Sequence, residues 1–82
     1  MTNNENTVKM ATLSFSFKKG WKSVSIGDSR SVRNEIMVAL GISTRAAWLN
    51  RLNGKVEPKI SEAEAIASVF QKYGITDFWG EE

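Results

Sequence analysis

The hydrophobic pattern of the N-terminal region has a two-residue period. The first seven residues, MTNNENT, are polar and show no apolar spacing, and we predict a disordered tail over residues 1–9. Further on, Leu13, Phe15 and Phe17 alternate with polar residues. This alternation is typical of a strand that packs one face against a core. A β-strand is therefore predicted after the tail.

The segment that follows predicts the second strand of a hairpin. Lys18-Lys19-Gly20 is typical of a turn, and Val24 and Ile26 are again two residues apart. Trp21 is out of phase with Val24, which indicates a β-bulge. We predict a β-hairpin over about residues 11–26. It must pack against helices or pair with another chain, because an isolated hairpin is only marginally stable in water.

Beyond the hairpin the apolar period becomes that of an α-helix. The sequence GDSRS can cap a helix through side-chain oxygens that accept from first-turn amides, and the candidates are Asp28, Ser29 and Ser31. One apolar stripe follows, made of Val32, Ile36, Ala39 and Leu40. Gly41 ends this first helix, because glycine readily adopts the left-handed conformation.

A second helix is predicted after a link of three residues, Gly41-Ile42-Ser43. Ser43 or Thr44 caps it, it runs to about Asn53, and Gly54 ends it. Its apolar face is made of Trp48, Leu49 and Leu52. A link this short is what a helix-turn-helix requires.

A third, amphipathic helix is predicted after Pro58, which prevents the preceding helix from continuing. Ser61 and Glu64 have the spacing of a capping box. The apolar stripe consists of Ala63, Ile66, Ala67 and Phe70, and Gly74 ends it. The segment ITDFWG can then form one further turn that places Phe78 and Trp79 on the core.

Length and composition limit the class of protein. Eighty-two residues predict one domain, over residues 10–82, whose fold class is mainly α with a small β element. The chain has no cysteine and no histidine, which removes disulfides, most metal sites, thiol nucleophiles and the usual general base. We therefore expect no enzyme, no metal and no cofactor. Neither a membrane span nor a secretory signal is apparent, so a cytoplasmic protein is expected.

Charge is divided unevenly along the chain. Residues 18–59 contain nine cations and three anions, a local charge of +6, whereas residues 60–82 have a local charge of −4. This division suits a protein with one basic face for a polyanion. Ordinary solvated charges are an equally good interpretation of the same pattern.

The order of these parts resembles the lambda repressor/Cro-like helix-turn-helix family. The features that carry the resemblance are the helix ending in Leu40-Gly41-Ile42-Ser43, the second helix closing in Asn53-Gly54-Lys55, then Pro58 and a helix ending in KYGITDFWG. It covers about residues 32–80. Family members usually have a further α-helix before the first motif helix, where this sequence predicts a hairpin. The interval between Gly41 and Gly54 is also one or two residues longer than the family pattern.

The resemblance implies that residues 44–53 lie in the major groove of double-stranded DNA. The candidates for base contacts are Arg45, Asn50 and Arg51, because Arg pairs with guanine and Asn with adenine through two hydrogen bonds each. Ala46 and Ala47 would allow close approach. The candidates for phosphate contacts are Ser43, Thr44, Lys55 and Lys59. The protein implied is a sequence-specific transcriptional regulator without a cofactor.

Two further hypotheses concern partners. A homodimer is expected because one small unit presents little surface to an operator, and the predicted interface is the hairpin with Phe15, Phe17 and Trp21. The alternative function is a protein-interaction module that uses the hairpin edge and the aromatic patch without binding DNA. Dispersal or ion pairing of Arg45, Asn50 and Arg51 would favour that alternative.

Overall fold

The computed structural model describes residues 15–81, and this part of the chain contains four helices and no β-strand. The helices are α1 (Lys18–Ser23), α2 (Ile26–Leu40), α3 (Arg45–Leu52) and α4 (Ile60–Lys72). The predicted tail over 1–9 and the start of the predicted hairpin lie outside the described residues. Within residues 15–81, no helix has both the length and the apolar character that crossing a membrane requires.

The predicted β-hairpin is wrong, because its second half forms α1 and the first residue of α2. Gly20 is not a turn residue. A Cβ atom at Gly20 would lie 2.4 Å from the Cβ atom of Phe78, so glycine allows α1 to pack closely on the C-terminal segment. Ile26 is 95% exposed, so its spacing from Val24 does not mark a buried face.

α2 and α3 are two helices joined by a short link, as the sequence predicts. α2 begins earlier than expected, because the hydroxyl of Ser25 accepts the backbone N–H of Asp28 as the cap. Gly41 ends α2 in the left-handed conformation, with φ 68°. Of the two predicted caps for α3, the structure uses Thr44, whose Oγ1 accepts from the backbone N–H of Ala47.

α4 confirms the predicted amphipathic helix but not its cap. The helix begins at Ile60, and the carboxylate of Glu62 accepts from the backbone N–H of Lys59 at 2.9 Å. The capping box predicted for Ser61 and Glu64 is therefore wrong, because the helix starts two positions too early for it.

The hydrophobic core joins all four helices to the segment after α4. Its buried side chains are Phe17, Val32, Ile36, Leu40, Trp48, Leu52, Ile66, Val69, Phe70 and Phe78. The predicted extra turn after α4 is absent from the described structure, yet Phe78 stacks on Phe70 with ring centroids 5.2 Å apart. Two predicted core residues lie outside: Ala39 is exposed and Leu49 is 37% exposed.

Short backbone contacts join the two ends of the described chain and fix the end of α3. The buried hydroxyl of Ser16 donates to the carbonyl of Leu52 at 2.9 Å, and the N–H of Phe17 donates to the same carbonyl at 3.2 Å. The N–H of Gly80 donates to the carbonyl of Ser16 at 2.6 Å. Residues 15–17 therefore occupy the C-terminal end of α3, where its last carbonyls would otherwise lack partners.

Candidate nucleic-acid interface

α3 is anchored by one side and exposed on the other. Trp48 and Leu52 are buried against the core. At 100° per residue, Ala46 and Asn50 lie nearly opposite these two residues, and both are exposed. The exposed side of α3 therefore has a small residue and an amide at its centre.

The three predicted base-contact residues do not share one face of α3. Asn50 is at the centre of the exposed side, whereas Arg45 and Arg51 lie on opposite flanks. Arg45 is exposed and lines a groove that α3 shares with α2. Arg51 is on the flank next to α4, where its side chain is 16% exposed.

Arg51 is held by an ion pair with the first turn of α4. Its two terminal nitrogens donate to the two carboxylate oxygens of Glu62 at 3.1 and 3.2 Å. These hydrogen bonds, followed by the one from the backbone N–H of Lys59, lower the pKa of Glu62 below its ordinary value. Arg51 would have to leave this pair to contact a base, so its geometry is that of a residue that positions α3 against α4.

The predicted phosphate-contact residues are exposed around the ends of α3. Ser43 and Thr44 precede the helix, and the Thr44 hydroxyl can still donate a hydrogen bond because its oxygen serves as the acceptor in the cap. Lys55 and Lys59 follow the helix, and neither has an acidic side chain within ion-pair distance in the described chain. All four residues are thus exposed and next to α3 in the sequence, two before it and two after it.

The residues predicted to form a dimer interface pack mainly inside their own chain. Phe17 is 1% exposed and makes edge contacts with Trp48 and Phe70, at 5.7 and 6.0 Å between ring centroids. Trp21 makes a similar contact with Trp48 at 5.2 Å. Phe15 is half-buried. Phe17 and Trp21, which suggested a strand pairing with another chain, are thus used for the monomer's own core.

The ion pairs of the described chain lie mainly away from the exposed side of α3. They join Lys18 to Glu81, Lys19 to Asp77, Arg51 to Glu62 and Lys72 to Glu35. Hydrogen bonds from the Tyr73 hydroxyl and from Lys72 lower the pKa of Glu35. Three of these four acids lie in the C-terminal segment. Asp77 and Glu81 neutralise cations of α1, and Glu62 neutralises Arg51 of α3, whereas the acidic partner of Lys72 in α4 comes from α2.

Two residues of this region were not expected from the sequence. Glu62 positions Arg51, and Arg33 of α2 lines the same groove as Arg45. Arg33 follows the buried Val32 in a helix, which places it on the border of the apolar stripe. That position was a usable signal for Arg33, whereas nothing in the local sequence links Arg51 to Glu62.

Comparisons with protein-family models, with curated proteins and with solved structures found no match to this chain.

Proposed function

We propose that the protein binds double-stranded DNA in a sequence-specific manner and regulates transcription, with α3 in the major groove. The observation that carries this proposal is the division of α3 into a buried side and an exposed side. Its buried side is fixed by Trp48 and Leu52, and its exposed side presents Ala46 and Asn50 with no bulky side chain between the helix and a partner. A helix of this kind can approach base edges closely.

Charge around α3 supports the same proposal. The cations of α2, α3 and the following loop that have no acidic side chain within ion-pair distance in the described chain are Arg30, Arg33, Arg45, Lys55 and Lys59. Cations without an acidic partner attract a polyanion, and those nearest α3 can supply phosphate contacts. These five cations account for much of the basic excess of residues 18–59.

In this mechanism, contacts to the backbone position the protein and contacts to the bases specify the site. Asn50 can donate to N7 and accept from N6 of adenine through its amide, and Ala46 can contact a thymine methyl group. Ser43, Thr44, Lys55 and Lys59 contact phosphates at the two ends of α3. Arg51 acts through Glu62 by fixing the angle between α3 and α4, so base reading is assigned to Asn50 in the first place.

The element order also supports the resemblance to the lambda repressor/Cro-like family. Members of that family usually have a helix before the first motif helix, and α1 occupies that place in this chain. No catalytic step and no cofactor enter the proposal. A homodimer on a two-fold operator stays a prediction, without the strand pairing first expected for it.

Titration of duplex DNA of random sequence at several salt concentrations tests the proposal. About four to six phosphate contacts would give a slope near −4 to −5 in a plot of log K against log salt concentration. Lys55→Ala should make the slope shallower by about one unit. Lys72→Ala is the matched control, because Lys72 of α4 is already paired with Glu35 of α2 and its loss should not change the slope. Absence of binding at about 50 mM salt would remove the proposal.

A protein-interaction module is the second candidate function, and one observation favours it. The ion pair of Arg51 with Glu62 removes one of three predicted base contacts, and an apolar groove beside it is lined by Phe15, Pro58, Ile60, Ala63 and Trp79. Ile60 is 81% exposed there. The hairpin edge first expected for such a partner is not formed. A folded protein that fails to bind DNA at low salt, and whose partner binding is lost in Ile60→Glu, would establish this function instead.

A further inference from the structure

A groove between the first three helices combines aromatic walls with two arginines. This arginine groove has a volume of about 480 Å³, and its main lining residues are Trp21 of α1, Arg33, Asn34 and Met37 of α2, and Arg45 and Trp48 of α3. Ligand pockets in proteins commonly have volumes of about 300–1,000 Å³. The groove is therefore large enough for a phosphate together with the group to which it is attached.

The electrostatics of the groove favour an anion. Among the described residues no carboxylate lines it, and neither Arg33 nor Arg45 forms an ion pair there. By contrast, Lys18, Lys19 and Arg51 each have an acidic partner. Two unneutralised guanidinium groups on one groove would repel each other, and an anion between them would offset that repulsion.

The guanidinium groups of Arg33 and Arg45 favour a phosphate among the possible anions. Guanidinium groups present parallel N–H donors that match the oxygens of a phosphate, and such charge-assisted hydrogen bonds are stronger than neutral ones. Asn34 adds an amide donor on the same wall. A phosphate with three or four accessible oxygens can be shared by donors from α2 and α3 at once.

The aromatic wall of the groove is rigid. The rings of Trp21 and Trp48 are in edge contact, with centroids 5.2 Å apart and an interplanar angle of 74°. Trp48 is 6% exposed and belongs to the core, so this wall is part of the rigid body of the domain. A rigid apolar wall also lowers the local dielectric and strengthens the attraction between the arginines and an anion.

We infer that Arg33 and Arg45 together bind a phosphate group in the arginine groove. The phosphate belongs to the backbone of bound DNA or to a free nucleotide, and the first source rests on the proposed function. In either case Arg45 is a phosphate-binding residue rather than a base-reading one, and α2 contributes a contact to the same anion as α3.

The experiment compares the wild-type protein with Arg33→Ala and Arg30→Ala. Arg30 is the matched control, because it is an exposed arginine one turn earlier on α2 that does not line the groove. Arg33→Lys keeps the positive charge but removes the guanidinium group, so it tests whether the parallel N–H donors are needed. Each protein is titrated with duplex DNA at several salt concentrations. Each is also titrated with deoxyadenosine monophosphate and with inorganic phosphate, and the indole N–H signals are followed by NMR.

Binding of a DNA phosphate predicts that Arg33→Ala weakens duplex binding about tenfold and makes the salt slope about one unit shallower, as expected for loss of a charge-assisted contact. Arg30→Ala should have less than half of that effect. Binding of a free nucleotide predicts saturable shifts of the Trp21 and Trp48 indole signals by about 10 mM nucleotide, which detects a Kd near 1 mM. The Trp79 signal should stay in place, and Arg33→Ala should abolish the shifts.

The two proposals fail separately. If the wild type binds DNA but Arg33→Ala matches Arg30→Ala, and neither nucleotide nor phosphate shifts the two indole signals, the phosphate site is wrong and DNA binding stands. If the wild type does not bind DNA, the function first proposed is wrong, and the phosphate site stands only with shifts that depend on Arg33. Absence of both DNA binding and Arg33-dependent shifts of the indole signals overturns the proposed phosphate site.

Discussion

Arg51 and Glu62 form a two-point contact between the last turn of α3 and the first turn of α4, with nitrogen–oxygen distances of 3.1 and 3.2 Å. The two side chains are 16% and 18% exposed, so the pair is more sheltered than the other ion pairs of the described chain. Glu62 also accepts from the backbone N–H of Lys59 at the start of α4. The carboxylate of Glu62 thus caps α4 and also holds the end of α3, the helix proposed to enter the major groove of DNA.

Stability should fall in acid through the carboxylate of Glu62. Its pKa is lowered in the folded protein by Arg51 and by the N–H of Lys59, from an ordinary value of 4.5. A carboxyl group with a lowered folded pKa adds stability above its unfolded pKa, and this contribution is lost as pH falls through the folded pKa. Unfolding by urea at a series of pH values should show the loss beginning near pH 4.5 and continuing below it.

Glu62→Gln tests that assignment. It should lower the free energy of unfolding by about 1 kcal/mol at pH 7, because it weakens a charge-assisted hydrogen bond. It should also flatten the fall in stability below pH 4.5. Glu64→Gln is the matched control, since Glu64 is exposed and unpaired in the described chain, and a change within about 0.5 kcal/mol is expected. Equal effects of the two variants would contradict the role given to Glu62.

The two helical glycines should respond to alanine with opposite signs. A Cβ at Gly20 would lie 2.4 Å from the Cβ of Phe78, so Gly20→Ala should cost about 1–3 kcal/mol through overpacking. A Cβ at Gly27 meets nothing within 4 Å, and Gly27→Ala should add about 0.5 kcal/mol because alanine favours a helix. Denaturant unfolding of both variants measures the difference.

A double-mutant cycle with Phe78→Gly, which removes the Cβ atom of Phe78, separates this clash from a general effect on α1. If the cost of Gly20→Ala comes from contact with Phe78, the two changes together should cost less than the sum of the single changes by at least about 0.5 kcal/mol. Additive costs would show that the close approach of Gly20 to Phe78 is not what requires glycine.

The two glycines that end α2 and α3 should differ in their tolerance of alanine. Both have positive φ, 68° at Gly41 and 78° at Gly54. Gly41→Ala should cost about 1 kcal/mol from the left-handed backbone alone. Gly54→Ala should cost at least about 1 kcal/mol more, because its Cβ would lie 2.5 Å from the backbone nitrogen of Ser16. Similar unfolding free energies for the two variants would contradict this packing of Ser16 on the end of α3.

The helices that were predicted well from the sequence are determined by residues close together in the chain. The stripe of Val32, Ile36 and Leu40 repeats at helical spacing, and the glycine after it has a backbone conformation that few other residues adopt. The same signals define α3 and α4. Two helices joined by a short link could therefore be predicted from positions close in sequence.

The hairpin was mispredicted because its signals had other physical causes. Gly20 serves helix packing against Phe78, a residue far away in the chain. Trp21 and Val24 are three apart, which is a helical spacing, and both pack against the core. The spacing of Trp21 and Val24, which was interpreted as a β-bulge, was thus a local indication of helix α1.

The candidate site was predicted only in part, because contacts between helices decide it. Asn50 lies on the exposed side that the sequence suggested. The pairing of Arg51 with Glu62 and the shared groove of Arg33 and Arg45 depend on how α3 packs on α4 and α2. No periodicity within one helix contains that information.

The ratio of affinities for a preferred and a scrambled duplex, measured for Asn50→Ala beside Lys59→Ala, tests the central claim that α3 reads bases. The preferred site is first selected with the wild-type protein. Loss of a base contact should reduce the ratio by about 1–3 kcal/mol in Asn50→Ala, whereas loss of a phosphate contact in Lys59→Ala should weaken both duplexes nearly equally. An unchanged ratio in a folded Asn50→Ala protein would contradict the claim.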